Sequence, residues 1–486
     1  MKKDQVKLDI LTERPIVRND AISELDVVIE VRSEQSTNEL DRKKALNLCI
    51  VIDRSGSMSG EKLEAAKKGC IDIFNQLDEK DLFTVVVFDD QAEVVVNPQV
   101  PKSEVIEKIN RINTAGSTNL SLGWYLGLLE LQTYMTDNHN NRLFLLSDGQ
   151  ANQGETKVTT LAKEASKSRE LRITTSTIGI GDDFQVDILT AIATESGGRF
   201  WYIQESRIED IINEEFKGAM SIIIDRPRIE LKLPTGVTVS EELNNLGKKI
   251  NDKYRTRPIK GEDQFNFAIR LEINPEKIET DNVNFQAILF DGEKSIVDTQ
   301  MVVYLKSYQE YVSSKINPIV QSVVQQFQST ITNERLMEQM SKGGFELMKK
   351  MLIEDVEGMR KVRDALDEER EDERFIQEIR DFQQELFGKE NALVISEMLE
   401  NFRELQGVKD FLKRWQKVTM QGNQRNAMRQ NNFMQGSINK IDEDLQASLL
   451  EDAIELADTL IQRFPDKANE LLNYQRKIRE NLARYQ

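Results

Sequence analysis

The pattern of hydrophobic and polar positions divides the chain into stretches with different predicted elements. The first 41 residues contain two strand-like runs, at 6–11 and 25–32, and no helix-length pattern separates them. From residue 45 to about residue 224, short apolar runs alternate with segments in which apolar residues recur every three or four positions. Such runs are typical of buried strands, and such segments of amphipathic helices. The alternation predicts a doubly wound, mostly parallel α/β sheet that helices cover on both faces.

Strand patterns return after the last helix predicted for this region, residues 207–224, which Pro227 stops. Four alternating runs follow, RIELKLP, FNFAIRLEI, VNFQAILFD and SIVDTQMVVYL. We infer that residues 1–41 and 226–306 build one β-sandwich, and that the α/β domain at residues 42–225 is inserted within it. The alternative is that the N-terminal strands pack directly on the α/β domain.

The remainder of the chain carries helical patterns and few strand signals. Residues 307–414 are predicted to form a helical region, and its highly charged stretch at 354–385 is typical of a solvated or coiled helix. Residues 415–437 are rich in Gln and Asn and poor in aliphatic side chains, which predicts a flexible linker. Residues 438–486 carry two amphipathic patterns on either side of Pro465, which predicts a helical pair.

Composition argues against several classes of function. The net charge of −18 disfavours general nucleic-acid binding, because attraction to phosphates is the main non-specific contribution there. No stretch approaches the roughly eighteen uninterrupted apolar residues of a membrane helix, and the N-terminus lacks the apolar segment of a signal peptide. Cys49 and Cys70 lie inside apolar-periodic segments, as buried free thiols of a reducing compartment do. We therefore expect a cytoplasmic protein that makes no membrane contact.

One apolar strand pattern ends in VIDRSGSMSG, residues 51–60, which is unusually dense in oxygen-bearing side chains. Ser59 suits the cap of the helix that follows, but a cap needs fewer oxygens. The glycine spacing fits neither a phosphate-binding loop nor a dinucleotide fingerprint. A nucleophilic serine lacks a base, because the only histidine, His139, lies in a polar loop pattern. One histidine and two buried cysteines also argue against a zinc site.

A site for a hard cation remains. Period-two spacing places Asp53, Ser55 and Ser57 on one side of an extended loop, where a carboxylate and two hydroxyls face a common point. Mg²⁺ prefers octahedral oxygen ligands, few carboxylates and retained waters. Further oxygens are expected from Thr118 in GSTNL, which opens a helix, and from Asp148 in LLSDG, which ends a strand. Both lie at boundaries that this fold class brings to the carboxyl edge of the sheet.

The three motifs, DRSGSM at 53–58, GSTNL at 116–120 and SDG at 147–149, resemble those of the von Willebrand factor type A family. The resemblance covers about residues 45–224 and implies a doubly wound domain with a metal-ion-dependent adhesion site. It implies that Ser55 and Ser57 bind the ion directly and that Thr118 binds it directly or through water. Asp53 and Asp148 would act through water or through hydrogen bonds to the ligands.

The resemblance also implies a protein partner. In this family a partner's Asp or Glu fills the remaining coordination position of the ion, which we expect to be Mg²⁺, with Mn²⁺ or Ca²⁺ as alternatives. Arg54, Ser117 and Asn119 form the predicted partner-binding rim. Arg54 either adds positive charge to that rim or is simply solvated. An ion that only braces the loops is the alternative to partner binding.

The expected function is that of a non-enzymatic, Mg²⁺-dependent scaffold without catalytic residues, whose helical tail binds a second partner or mediates self-association. One alternative is an accessory subunit of an AAA+ ATPase, or of a kinase or phosphatase in a stress or defence system. Another is an RNA-associated scaffold, since residues 409–429 are basic and include Phe411 and Trp415. A polar linker beside an amphipathic helix is the favoured interpretation of that segment.

Overall fold

The computed structural model describes residues 6–34, 44–204, 207–244, 249, 252–342, 344–367, 373–402, 404–428, 431–432 and 435–485. The strands are β1 (Val6–Thr12), β2 (Ile16–Arg18), β3 (Ser23–Ser33), β4 (Ala45–Asp53), β5 (Leu82–Phe88), β6 (Ala92–Val96), β7 (His139–Ser147), β8 (Ile173–Ile180), β9 (Phe200–Ile203), β10 (Ile222–Ile224), β11 (Pro227–Lys232), β12 (Val237–Glu242), β13 (Lys253–Arg255), β14 (Ile259–Lys260), β15 (Asp263–Ile273), β16 (Asn282–Asp291), β17 (Lys294–Lys306) and β18 (Asn431–Asn432). The helices are α1 (Glu61–Gln76), α2 (Lys102–Asn110), α3 (Leu120–Tyr134), α4 (Val158–Glu170), α5 (Val186–Ser196), α6 (Ile208–Met220), α7 (Tyr308–Ser313), α8 (Pro318–Lys342), α9 (Phe345–Asp367), α10 (Glu373–Leu399), α11 (Gln406–Met428), α12 (Gln435–Arg463) and α13 (Ala468–Leu482).

A six-stranded sheet with the order β6-β5-β4-β7-β8-β9 forms the centre of the α/β domain. Neighbouring strands are parallel, except that the edge strand β6 runs antiparallel to β5. Helices α1 and α6 pack on each other, α3 lies against β4 and β5, and α5 covers β8. The chain winds outward from β4 to β6 and then returns to β7, so the strand order reverses between β4 and β7. The predicted doubly wound α/β fold is confirmed.

Two further sheets share a separate hydrophobic core. Their strand orders are β1-β3-β15-β12 and β13-β11-β16-β17-β2. Ile29 of the first sheet and Phe285 of the second belong to the same buried cluster. Each sheet combines strands that precede the α/β domain with strands that follow it, because β3 pairs with β15 and β2 with β17. The predicted insertion of the α/β domain within a β-sandwich is confirmed. The N-terminal strands pair with the later strands of the sandwich, which rules against the alternative that they pack directly on the α/β domain.

The last helix of the α/β domain is shorter than predicted. The sequence predicts a helix over 207–224, whereas α6 ends at Met220. Residues Ile222–Ile224 instead form β10, which pairs with β14. Three consecutive isoleucines favour the extended conformation once a pairing strand is available, because branching at Cβ restricts side chains more in helices than in strands. The exit from the α/β domain is therefore a short antiparallel ladder.

The C-terminal helices α8–α13 build a third region, with a core that includes Leu352, Met398 and Leu449. The linker predicted at 415–437 is wrong, because α11 runs unbroken to Met428. Asn431–Asn432 then pair with β15, and α12 begins at Gln435. Residues 429–430 and 433–434 of that prediction lie outside the described residues.

The charged stretch at 354–385 belongs to two helices. Helix α9 ends at Asp367 and α10 begins at Glu373, and residues 368–372 lie outside the described part of the chain. The two helices pack against each other through buried side chains such as Val356, Met359 and Phe382. The stretch therefore has an apolar face and is not solvated on all sides.

Helix α11 covers the open edge of the six-stranded sheet. The backbone N–H of Tyr202 in β9 donates a hydrogen bond to the Gln421 side-chain carbonyl, at 2.6 Å. Val418 joins the core of the α/β domain, and the Lys417 ammonium donates to the carbonyl of Asp182. An exposed edge strand is a template for unwanted pairing, so the helix protects this edge. Among the described residues, no helix combines the length and apolar character needed to cross a bilayer.

Candidate metal centre

The motif residues meet where the strand order reverses. Asp53 is the last residue of β4, Asp148 directly follows β7, and Thr118 lies two residues before α3. Strands β4 and β7 are parallel neighbours, so their carboxyl ends lie at the same edge of the sheet. In open α/β sheets this reversal leaves a crevice beyond the carboxyl ends of the strands, and ligands bind there. The fold alone therefore brings the three motifs to the position where a site is expected.

Backbone hydrogen bonds hold the loops together. The N–H of Ala115 donates to the carbonyl of Arg54, at 2.8 Å, which joins the first motif to the second. The N–H of Asn152 donates to the carbonyl of Thr118, at 3.3 Å, which joins the second motif to the loop after β7. Gly116 has a φ of +57°, and a Cβ added there would lie 2.0 Å from a carboxylate oxygen of Asp90. The positive φ favours glycine at this turn, and a side chain there would also have to displace the Asp90 carboxylate.

Asp53 is fully buried and organises the first loop. One carboxylate oxygen accepts the backbone N–H of Ser55 at 2.8 Å, and the other accepts the hydroxyl of Ser147 at 2.7 Å. Burial raises the pKa of Asp53 to about 6, while the hydrogen bonds from Ser147 and Ser55 act in the opposite direction. The Ser147 contact fixes the carboxylate at the junction of β4 and β7. The sequence motif contained Ser147, but its role becomes visible only with this geometry.

The hydroxyls of Ser55 and Ser57 lie 3.1 Å apart, and the Ser57 hydroxyl donates to Asp148 Oδ1 at 2.7 Å. The Thr118 and Ser57 hydroxyls both lie next to Gly149, since a Cβ added to that glycine would be 2.9 Å from Thr118 Oγ1 and 3.6 Å from Ser57 Oγ. The structure therefore brings together all five predicted ligand residues. Ser57 is exposed, so the site opens to solvent.

This donor set suits a small hard cation. Octahedral Mg²⁺ with ligands at about 2.0–2.1 Å places adjacent oxygens about 3.0 Å apart. The Ser55–Ser57 separation of 3.1 Å matches that spacing. Among the described residues there is no group of three or more His, Cys, Asp or Glu side chains that could hold a metal. An ion here would therefore depend on hydroxyls and waters, with two carboxylates, as the sequence predicts.

A lysine that sequence reasoning missed lies beside this donor set. The Lys62 ammonium contacts Asp148 Oδ2 at 2.7 Å, and the Asp148 side chain is fully buried. Lys62 belongs to the first turn of α1, whose N-cap is Gly60 and not the predicted Ser59. The lysine therefore already compensates part of the negative charge of the site. Its proximity to the DRSGSM motif was the available signal, but helix geometry was needed to aim the side chain.

The predicted rim residues are occupied by contacts within the protein. The Arg54 guanidinium pairs with Asp89 at 2.7 Å and with Glu93 at 2.8 Å, so it is neither an unpaired positive rim nor simply solvated. The Asn119 side chain accepts the N–H of Leu122 at 3.2 Å and caps α3. Ser117 is half-buried, and its hydroxyl accepts a hydrogen bond from Gln153 at 2.7 Å. Of the three, Ser117 retains exposed surface without an ion pair or a capping role.

Two other predicted features differ in the structure. His139 opens strand β7 instead of lying in a loop, and its Nδ1 lies 3.0 Å from the hydroxyl of Thr136. Phe411 and Trp415 are buried in the C-terminal helical core, with 7% and 6% of their surfaces exposed. Base stacking needs exposed aromatic faces, so these two rings do not form an RNA-binding surface.

The fold and the site define a class, an α/β domain with a cluster of hydroxyl and carboxylate side chains at its switch point, inserted in a β-sandwich. Residues 47–214 match the family model of the von Willebrand factor type A domain. This part of the chain is therefore a von Willebrand factor type A domain. Over 166 residues the chain is 35% identical to an uncharacterized protein of Synechocystis sp., covering 34% of this chain and 39% of that protein.

Other relatives extend beyond the α/β domain. The chain is 23% identical over 299 residues to the uncharacterized protein YfbK of Escherichia coli, covering 58% of this chain and 51% of that protein. It is 24% identical over 316 residues to inter-alpha-trypsin inhibitor heavy chain H4 of Homo sapiens, covering 60% of this chain and 31% of that protein. The chain thus spans about a third to a half of the length of these curated relatives.

Two solved structures share the fold over most of the chain. A von Willebrand factor type A protein from Catenulispora acidiphila has a TM-score of 0.58 and 16% identity, covering 74% of this chain and 87% of that one. The ArnB paralog VWA2 from Sulfolobus acidocaldarius has a TM-score of 0.55 and 14% identity, covering 87% of this chain and 98% of that one. At these identities the likeness concerns the fold alone.

Proposed function

We propose that the von Willebrand factor type A domain binds one divalent cation, Mg²⁺ in the cell, and uses it to hold an acidic side chain of a protein partner. The observation that carries the proposal is the chain of close oxygen contacts from Ser55 through Ser57 to Asp148. These groups come from two loops at the switch point, and Thr118 adds a hydroxyl from a third. Ser55, Ser57 and Thr118 would hold the ion, with the two aspartates supporting it.

A divalent ion bound there supplies a Lewis-acidic position that an external carboxylate can occupy. The residues of the chain leave such a position uncompensated. Both oxygens of Asp53 already accept hydrogen bonds, and Asp148 shares its charge with Lys62. Positive charge therefore persists at the exposed side of the site, where Ser57 lies. An incoming Asp or Glu would neutralise it.

We further propose that the chain is a non-enzymatic cytoplasmic scaffold, and that the helical region engages a second partner or a second copy of the chain. The large proportion of the chain outside the α/β domain supports a role in assembly. The identified relatives that carry the same type of domain are named as an inhibitor heavy chain and as uncharacterized proteins. We expect the purified chain not to hydrolyse ATP, and an ATPase assay would test this.

The metal site is tested with two serines of one loop. Ser57 and Ser59 are both exposed, but only Ser57 contacts Asp148. We expect the wild-type chain to bind one Mn²⁺ or Mg²⁺ per molecule in isothermal titration calorimetry. Ser57→Ala should weaken that affinity by about tenfold or more, since it removes one direct ligand. Ser59→Ala should leave it unchanged.

The partner is tested with the same variants. Proteins recovered from a lysate with the wild-type chain in Mg²⁺ should be lost in EDTA and lost with Ser57→Ala, but retained with Ser59→Ala. Metal binding without this pattern of recovery would contradict partner recognition and leave a structural ion. Equal metal affinity in both variants would contradict the metal site itself.

A further inference from the structure

A cavity lies between the α/β domain and the β-sandwich, away from the motif loops. It has a volume of about 60 Å³ and lies where α4, the β10–β11 connection and β13 meet. Its lining includes five arginines: Arg169, Arg172, Arg226, Arg228 and Arg255. Only two lining residues are acidic, Glu170 and Asp225. This concentration of positive charge stands out in a chain whose net charge is −18.

Two acidic residues near this arginine cavity, Asp225 and Glu293, also contact cations that do not line it. Asp225 accepts a hydrogen bond of 3.0 Å from the guanidinium of Arg142, a residue of β7. Glu293 contacts Arg228 at 2.7 Å, but it also contacts Lys253 at 3.1 Å and is largely exposed. One carboxylate thus serves two cations. Asp137, which is exposed, also pairs with Arg172, so the neighbouring acids neutralise the cavity only in part.

Arg169 is the clearest case of an uncompensated charge. Its guanidinium donates to the backbone carbonyl of Thr256 at 2.7 Å, and within the described residues it forms no ion pair. Burial, together with the charges of Arg255 and Arg228, lowers the pKa of Arg169 to about 10, while Glu195 acts in the opposite direction. Arginines in proteins normally stay fully charged, so this side chain is held in an unfavourable field.

The sheet register brings two more of these charges together. Arg228 of β11 and Arg255 of β13 are direct cross-strand partners. Like charges in that position destabilise a pair of strands. The Arg255 side chain also reaches Ser166 of α4, with Nη2 3.4 Å from the hydroxyl. Guanidinium groups from α4, β11 and β13 therefore share one cavity, where an anion between them would reduce their mutual repulsion.

We propose that this arginine cavity binds a phosphate group. A tetrahedral oxyanion offers acceptors in several directions, and guanidinium forks pair with phosphate oxygens in a bidentate manner. The cavity has several times the roughly 10–15 Å³ that one water needs, but it is too small to enclose a nucleotide. The ligand is thus inorganic phosphate or the phosphate of a small phosphomonoester whose remainder stays outside. Because the arginines belong to both the α/β domain and the sandwich, the bound anion would fasten the two together.

Calorimetric titration with inorganic phosphate, at constant ionic strength in sodium chloride, tests the proposal. We expect saturable binding of one phosphate to the wild-type chain. Arg169→Gln and Arg255→Gln should each weaken it about tenfold or more, the loss expected for one charge-assisted hydrogen bond. Arg111→Gln serves as the control, because Arg111 directly follows α2 in the same domain, its side chain is 75% exposed, and it pairs with Glu107 of that helix. Parallel titrations with AMP and glucose 6-phosphate identify the source, since tighter binding than inorganic phosphate would assign a phosphomonoester.

Thermal unfolding separates lost binding from lost structure. Without phosphate, Arg169→Gln should melt at the wild-type temperature or above it, because the substitution relieves repulsion. With phosphate, the wild type should gain thermal stability and this variant should not. Arg228→Lys, which keeps the charge but loses the fork, should show a reduced gain. Absence of saturable binding, or equal affinity in the wild type, Arg169→Gln and Arg255→Gln, would overturn the proposal.

Discussion

Asp53 illustrates how a single residue combines structural and functional demands. Its carboxylate is fully buried and receives two hydrogen bonds, one within its own loop and one from Ser147 at the end of β7. Removing a carboxylate from water costs more than these two contacts return, so the pKa rises to about 6. A bound cation, as proposed here, would stabilise the charged form of this buried carboxylate.

In EDTA, Asp53→Asn should remove a pH-dependent loss of stability. Between the ordinary pKa of 3.8 and about 6, the folded state holds the Asp53 proton more tightly than the unfolded state, so stability falls as pH rises through this window. A displacement of about two pKa units corresponds to about 3 kcal/mol. Denaturant unfolding at several pH values, from about pH 3.5 to about pH 7.5, should show the wild type losing that amount relative to the variant.

Asp183→Asn serves as the control for this experiment, because Asp183 is exposed on a different loop. The free energy of unfolding of Asp183→Asn should change with pH in the same way as that of the wild type across this range. A constant difference between the wild type and Asp53→Asn would contradict the buried, partly protonated carboxylate.

At the scale of elements, the docking of α11 on β9 changes the meaning of the C-terminal region. A strand at the edge of a sheet leaves its N–H and C=O groups without partners. Gln421 supplies one acceptor, and Val418 adds apolar contact with the domain core. The Gln- and Asn-rich composition that indicates a linker in the sequence thus includes a side chain that substitutes for a neighbouring strand. The helical region is attached to the α/β domain by specific contacts.

Gln421→Ala should destabilise the protein by about 1–3 kcal/mol, because the Tyr202 N–H would remain buried without its acceptor. Urea unfolding measures the loss, and hydrogen exchange should show faster exchange at the Tyr202 amide. Gln406→Ala is the matched control, since Gln406 lies on the same helix but is exposed. Equal stability of the two variants would show that α11 does not complete the sheet edge.

At the scale of the whole molecule, the inserted domain is joined to the sandwich through charged contacts. Arg142 of β7 and Asp225, just after β10, form an ion pair at 3.0 Å, with 5% and 9% of their side chains exposed. Burial lowers the pKa of Arg142, and the charge of Asp225 acts in the opposite direction. The arginine cavity lies in the same region, at the point where the chain leaves the domain. Charged side chains therefore connect the α/β domain to the sandwich at this junction.

Arg142→Met should cost about 3–5 kcal/mol, because it leaves Asp225 without its buried partner. Adding Asp225→Asn should recover part of that loss, and a double-mutant cycle from urea unfolding measures the coupling. The exposed pair Arg476–Glu480 is the control, and Arg476→Met should cost less than about 1 kcal/mol. Strict additivity of the two junction substitutions would contradict an energetic link between the domain and the sandwich.

Sequence by itself determined the features that depend on local periodicity. Alternating strand and helix patterns were sufficient to predict the doubly wound sheet, because burial on two faces leaves a continuous apolar run. Strand patterns on either side of that region predicted its insertion in a sandwich. The same order of elements placed Asp53, Thr118 and Asp148 at one edge, since parallel strands end together. The motif positions and the sheet topology could therefore be predicted from the sequence.

Only the tertiary structure decided which partner each polar side chain takes. Arg54 was predicted for the rim, but it pairs with Asp89 from another loop, and Lys62 turns toward Asp148. The linker prediction failed because Gln421 and Val418 of α11 contact a sheet edge and a domain core that are distant in sequence. The arginine cavity has no motif at all, since its residues come from α4, β11 and β13. Such contacts depend on packing between residues that are distant in sequence, so local patterns along the chain do not predict them.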